Sequence, residues 1–155
     1  MSTTYDFGSG PVPAHRHLNP DGSLGGWVAD TATVAPTARI GENARVSGNA
    51  KVFDNAWVSG DAWVFGNAQV FDNAKVFGDA VVSGDAKVSG NAEVSDDAQV
   101  SGNAGVFGNA KVSGNAKVFG DAKVSGNAQV SDNAEVFGHA KVFGNEWVSG
   151  ESVLV

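Results

Sequence analysis

The sequence predicts an all-β chain wound as a parallel β-solenoid, and three observations carry that prediction. An aliphatic residue recurs at every sixth position from Val28 to Leu154, twenty-two times without exception. An Ala stands two residues before it at each repeat from Ala32 to Ala140. Between them, polar or aromatic residues alternate with Gly, Asn and Asp. A period of six does not fit an amphipathic helix, which needs 3.6. A fixed internal period is instead the mark of an architecture made by stacking equivalent units.

The repeating unit reads Ala-x-Val-(Ser/Phe)-(Gly/Asp)-(Asn/Asp), as in residues 50–55. Alternate side chains of a strand point to opposite faces, so Ala and Val share one face while x and the Ser or Phe share the other. Gly-Asn, Gly-Asp and Asp-Asn supply residues that tolerate left-handed or tight-turn backbone. Four residues therefore suit a strand and two a turn. So short a strand is unstable alone, but stacking it on its equivalent in the next coil buries a continuous Ala/Val column.

Residues 27–155 form the repeat region, and residues 1–26 stand outside it. Pro11, Pro13, Pro20 and several glycines make that leader read as irregular backbone that caps the first coil. At the far end the inward Ala gives way to Glu146 and Ser152. A carboxylate is not buried unpaired, so the last coil is expected to splay or to leave Glu146 near solvent. The apolar Val153-Leu154-Val155 end is expected to be buried in an oligomer or against another protein.

Composition narrows the function classes. The chain has 155 residues, which suits one domain. Its hydrophobic residues are mostly Ala and Val, so burial comes from many small contacts rather than a bulky core. Ten Lys+Arg against 17 Asp+Glu give a formal charge of -7. That balance disfavours nucleic-acid phosphates and anionic lipid, which need clustered cations. No Cys is present, which excludes disulfides and thiolate chemistry. The opening MSTTYDFGSG has no apolar core of signal-peptide type, and no stretch is apolar enough to span a membrane. A cytoplasmic or virion-associated location is expected.

The hexad pattern, with an aliphatic residue and a small residue four later as in Val46/Ala50, Val64/Ala68 and Val118/Ala122, resembles the hexapeptide-repeat family. The resemblance implies a left-handed parallel β-helix of triangular section with three hexads per coil. Twenty-two hexads then give about seven coils, roughly 35 Å long at ~4.8 Å per coil. The leader segments Gly10-Pro11-Val12-Pro13-Ala14-His15-Arg16-His17, Asn19-Pro20-Asp21-Gly22 and Gly25-Gly26-Trp27-Val28-Ala29 resemble those of hexapeptide-repeat proteins common in bacteriophages and prophages. That likeness suggests a phage or prophage source and carries no activity with it.

With eighteen residues per coil, outward side chains sort into columns. One face holds Phe53, Phe71, Phe107 and Phe143, interrupted by Ser89 and Ser125, beside Lys51, Lys87, Lys123 and Lys141. A second holds Trp27, Trp63, Phe65, Val81, Phe119 and Phe137, and the third Trp57, Phe77 and Trp147. Leaving a large apolar side chain in water forgoes roughly 1.5–3 kcal/mol, and contiguous exposed patches mark partner surfaces. Phe53, Phe71, Phe107, Phe143, Trp63 and Phe65 are therefore the expected oligomer interface, and relatives imply a homotrimer. The alternative is that neighbours within a column shield one another. At one corner Asn55, Asn73, Asn91, Asn109, Asn127 and Asn145 are placed for an amide ladder. At another, Asp61, Asp79 and Asp97 stack at coil spacing, where they either attract a cation or bond their own turns.

No catalytic constellation stands out. Many relatives are acyltransferases with a His acting as general base at a subunit interface. Here His139 replaces a turn Asn or Asp, without an orienting partner nearby in sequence. Other relatives are zinc-dependent carbonic anhydrases with three His across a trimer interface. His15-Arg16-His17 puts two imidazoles on one side of an extended strand, but in the leader, so no ligand carries over and no metal or other cofactor is assigned. His15, Arg16, His17 and Trp27 are instead the candidate ligand- or partner-binding residues, packing on the cap or meeting an anionic group. An ice-binding Thr array is excluded, since no Thr lies beyond Thr37. The expected function is a non-catalytic interaction scaffold that self-associates and captures a small ligand or a protein partner. The alternative is an acyltransferase-like enzyme using His139.

Overall fold

A turn every six residues sets the architecture. The computed structural model describes residues 3–155, so the first two residues of the 1–26 leader lie outside it. Three leader strands, β1 (Thr4–Asp6), β2 (Pro11–Leu18) and β3 (Leu24–Ala29), precede a series of two-residue strands running from β4 (Thr33–Val34) to β24 (Val153–Leu154), one per hexad. Each strand pairs in parallel with its equivalent eighteen residues on, as in Lys51 with Gln69 and Gln69 with Lys87. The result is a parallel β-solenoid of about seven turns with three faces: one sheet of ten strands and two of seven.

The strands are shorter than the four residues expected, because the chain bends at each corner and only x and Val keep regular strand geometry. Pairing between coils nonetheless continues around the corner. Within one hexad the Lys51 amide donates to the Ala68 carbonyl at 2.9 Å, Phe53 to Val70 at 3.0 Å and Asn55 to Asp72 at 2.9 Å. The Ala amide instead closes the turn within its own coil, as in Ala56 to the Phe53 carbonyl at 3.3 Å. Buried amides are thus satisfied at every level. Inside, the Val and Ala side chains form one continuous core in which Val52 through Val136 are fully buried. Each such Val contributes about 2 kcal/mol relative to exposure.

The corner explains the Gly/Asp alternation. Gly84 has φ +64°, and a Cβ there would lie 2.9 Å from the Gly102 amide nitrogen and 3.0 Å from its carbonyl oxygen. Asp54, Asp72, Asp96 and Asp132 occupy the same left-handed position at φ 57–60°. All four turn the crowding to use: the Asp72 amide donates to Asp54 at 3.3 Å, Gly90 to Asp72 at 3.0 Å, Gly114 to Asp96 at 3.1 Å and Gly150 to Asp132 at 3.1 Å. The amide ladder runs from Asn73 through Asn91, Asn109 and Asn127 to Asn145, at 3.2–3.3 Å. These bonds are long and exposed, so each is worth less than the ~1 kcal/mol of an ordinary protein hydrogen bond.

The leader is not irregular. β1 pairs with β2, and β2 with β3, both antiparallel, extending the ten-stranded sheet below the first coil. The prolines do not prevent this: the Ala14 amide donates toward β1, to the Thr3 carbonyl, so the alternate Pro11 and Pro13 turn their nitrogens to the other side, where the β2–β3 pairing has ended at Ala14. Leader side chains also cover the exposed edge of the sheet that starts at β5 (Arg39–Ile40). The Asn19 side chain acts as a missing strand: it accepts from the Ile40 amide at 2.8 Å and donates to the Ile40 carbonyl at 3.0 Å. The buried His17 Nε2 donates to the Ala38 carbonyl at 2.8 Å. Asn19 is held by a tight turn in which Ser23 donates its amide and hydroxyl to Asp21. Those bonds, the hydroxyl's foremost, keep the Asp21 carboxyl below its ordinary pKa. Gly26 takes the place of the repeat Ala because a Cβ there would collide with the Ala44 carbonyl oxygen.

At the other end Glu146 is exposed, while its carbonyl still accepts from Gln129 at 2.9 Å. Of the two outcomes expected for the last coil, the register is kept and Glu146 faces solvent.

Two stability outcomes are expected from thermal melts. Asn19→Ala removes two hydrogen bonds from a sheet edge, costing about 1–2 kcal/mol, and raises end-to-end aggregation measured by light scattering. Gly84→Ala costs about 1–2 kcal/mol for a left-handed residue with a Cβ. Gly84→Asp keeps more stability, because its carboxylate can accept from the Gly102 amide. Equal melting points for the two Gly84 variants would contradict this account.

Candidate interaction surfaces

Outward side chains come from the x and Ser/Phe positions, so strand geometry fixes their direction and the eighteen-residue register fixes their neighbours. On the first face Phe53 and Phe71 stack with ring centroids 4.9 Å apart and planes 2° from parallel. Ser89 then opens a gap. Phe107 is 41% exposed and Phe143 57% exposed, each separated from the next Phe by one Ser level. A notch of about 420 Å³ lies between Phe71 and Phe107, floored by Ser89 and Gly105 and flanked by Lys87 and Lys123. Shielding within the column therefore applies to Phe53 and Phe71 and fails for Phe107 and Phe143.

The second face is occupied near the leader. Tyr5 stacks on Trp27 at 4.9 Å and meets Phe7 edge-on at 4.8 Å. Phe7, Ala14 and Ala29 form a small buried cluster joined by Tyr5, Trp27 and Trp63. Trp63 donates to the Ser47 hydroxyl at 2.8 Å, lies under Arg45 at 4.6 Å and touches Phe65 at 4.4 Å. Trp63 and Phe65 thus pack with the leader end, apart from the column of Phe53. Above them Phe119 and Phe137 stack at 4.9 Å.

Two clefts flank this leader cluster. One, of about 780 Å³, is largely apolar and is lined by Phe7, Val12, Pro13, Ala29, Trp63 and Phe65. Its rim is the turn at Gly8 and Gly10, whose amides both donate to the Asp6 carboxylate at 2.7 and 2.9 Å. The other, of about 450 Å³, is polar and is lined by Tyr5, Arg16, Trp27, Glu42, Arg45 and Asp61.

The four candidate binding residues of the leader separate. Arg16 and Trp27 line the polar cleft, with the guanidinium 5.8 Å from the Trp27 ring and its Nε donating to the Gly25 carbonyl at 2.6 Å. His15 points to solvent and pairs with Asp30 at 2.8 Å, whereas His17 is buried on Ala38. A register shift in the β2–β3 pairing between Arg16 and Leu18 accompanies this separation, so the imidazoles do not converge. The anionic group met by His15 is the chain's own Asp30.

His139 does have a carboxylate partner, contrary to the reading from local sequence. Its Nδ1 lies 3.4 Å from Asp121 Oδ2, one coil earlier on the same corner. That corner continues a column in which Asn67 donates to Asp85 and Asn103 to Asp121. The imidazole is 89% exposed, so no wall surrounds it to exclude water from a reacting group. Asp61, Asp79 and Asp97 are likewise exposed on their corner. Among the described residues no group of three or more His, Cys, Asp or Glu is placed to hold a metal ion.

Sequence reasoning missed Tyr5, Phe7, Asn19 and Arg45. Tyr5 and Phe7 carried a weak signal as alternating aromatics, but the prolines and glycines around them pointed to irregular backbone. Trp63→Ala is expected to loosen the leader. Hydrogen exchange should quicken for the amides of β1 and β2 while those of the central coils stay unchanged; uniform quickening would contradict the packing described.

In comparison with known families, residues 68–84 match the YdcK beta solenoid repeat. That stretch is just under one coil and includes the fully buried Val70, Val76 and Val82. No curated protein matches the chain. The coils and this local match agree, and the chain is a β-solenoid repeat protein.

Proposed function

We propose that the protein is a rigid, non-catalytic scaffold that associates with itself through the face carrying Phe53, Phe71, Phe107 and Phe143. The observation that carries this reading is the exposure of Phe107 and Phe143 on an otherwise ordered lattice. Backbone hydrogen bonds at every level hold these rings at fixed heights, so little side-chain or backbone order remains to be lost on association. A net charge of -7 spread over the surface keeps the assembly soluble.

The enzyme reading rests on the contact between His139 and Asp121, which could orient an imidazole as a general base. Exposure of both groups weighs against it, because a catalytic pair gains from a dry, shaped site.

Light-scattering mass measurement during size-exclusion chromatography separates the readings. The wild type is expected above its 15.8 kDa chain mass, and Phe107→Ser/Phe143→Ser is expected at chain mass with its circular dichroism unchanged. A wild-type monomer at all concentrations would sink self-association. His139→Ala should alter neither the mass nor any thioester turnover; loss of such turnover would favour the enzyme instead.

A further inference from the structure

The same face holds two outward columns, two residues apart along each strand. Read from the leader upward, one runs Phe53, Phe71, Ser89, Phe107, Ser125, Phe143, and the other Lys51, Gln69, Lys87, Gly105, Lys123, Lys141. The four inner levels of the first column, Phe71, Ser89, Phe107 and Ser125, are their own complement when reversed, large against small. We propose that this face binds a second copy of the chain with the two solenoid axes antiparallel, about a two-fold axis passing between the Ser89 and Phe107 levels. This rests on the self-association proposed above and specifies its geometry.

In that register Phe71 stands opposite the partner's Ser125, and Ser89 opposite the partner's Phe107. By symmetry Phe107 faces the partner's Ser89, and Ser125 the partner's Phe71. A ring entering at Ser89 lies midway between Phe71 and Phe107. Those levels are two coil spacings apart, so the ring sits about 4.8 Å from each, the spacing already seen between Phe53 and Phe71 at 4.9 Å. The notch of about 420 Å³ at this level is the space it fills.

The second column agrees independently. Lys87 stands opposite the partner's Gly105, and Lys123 opposite the partner's Gln69. Gly105 is the one glycine at an x position of the repeat strands, and a Cβ there would meet nothing nearer than its own neighbour Phe107 at 3.8 Å. Its lack of a side chain is therefore not demanded by the fold, and in the dimer it gives room for the Lys87 stem. Like meets like only at the outermost levels. There Phe53 faces the partner's Phe143, a compatible aromatic pair, and Lys51 faces the partner's Lys141, where both ammonium groups can extend into water.

A parallel arrangement, two-fold or three-fold, brings each level against its own equivalent. With its axis running along the Phe column it would set Phe on Phe at four levels and Ser on Ser at two. Interfaces approach the packing density of interiors, so alternating collisions and voids are disfavoured. A self-complementary two-fold patch is also the commonest route to a closed oligomer.

The test exchanges the two residues across the axis. Wild-type chain is expected at twice 15.8 kDa. Ser89→Phe overfills two symmetry-related slots, Phe107→Ser empties two, and each should weaken the dimer by about tenfold or more. The double variant Ser89→Phe/Phe107→Ser sets the introduced ring against the partner's emptied level and should restore wild-type association. Melting points of all four proteins, read above the dissociation concentration and below it, report that each chain is folded. A wild-type trimer would overturn the antiparallel register while leaving self-association intact. A monomer would overturn both, and a dimer that the double variant fails to restore would overturn the register alone.

Discussion

Everything in this protein depends on the hydrogen-bonded register between one coil and the next. Because the amides at x, at Ser/Phe and at the turn Asn/Asp of the central coils donate to carbonyls in the following coil, a residue is locked over its equivalent eighteen positions away. A side chain chosen at one level then has its neighbours above and below decided in advance. Inward, this makes a Val column and an Ala column that bury one another without any large residue. Outward, it makes columns in which ring stacks on ring, amide bonds amide and gap lies over gap.

That constraint also sets what the corners accept. The left-handed turn position lies under the backbone of the next coil, so a side chain is crowded there unless it bonds what it meets. Gly avoids the contact, and Asp converts it into a carboxylate–amide bond, as Asp72 does with Gly90. The ends need a different solution, since an end coil lacks a neighbour. At the leader end the missing neighbour is supplied by β2 for one sheet and by the side chains of His17 and Asn19 for another. Capping here is an imitation of the strand that is absent.

A lattice this regular holds its outward surfaces at fixed spacing. The places where the repeat is broken are the informative ones. Ser89, Gly105 and Ser125 interrupt columns that would otherwise be bulky, and none of them is required by the core. Tyr5, Phe7 and Trp63 build a local cluster at the leader that shapes two clefts. His139 replaces a turn amide and finds Asp121 beneath it. Of these, only the interruptions on the Phe face form a pattern with an order of its own.

From the sequence alone, the period of six determined the solenoid, the inward Val and Ala, the outward columns and the Asn ladder. These follow from local alternation and from identical neighbours, so no distant contact is needed to place them. The contact of His139 with Asp121 was legible in the same way, once positions eighteen apart are read together. The tertiary structure alone decided the leader. Whether Pro11 and Pro13 sit in a strand depends on the pairing available to them, and the separate fates of His15 and His17 go with a register shift in β2. Asn19 matters because it meets Ile40, twenty-one residues away, across a sheet edge. A repeat carries its own context from unit to unit. A segment outside the repeat acquires its context only from the surface on which it folds.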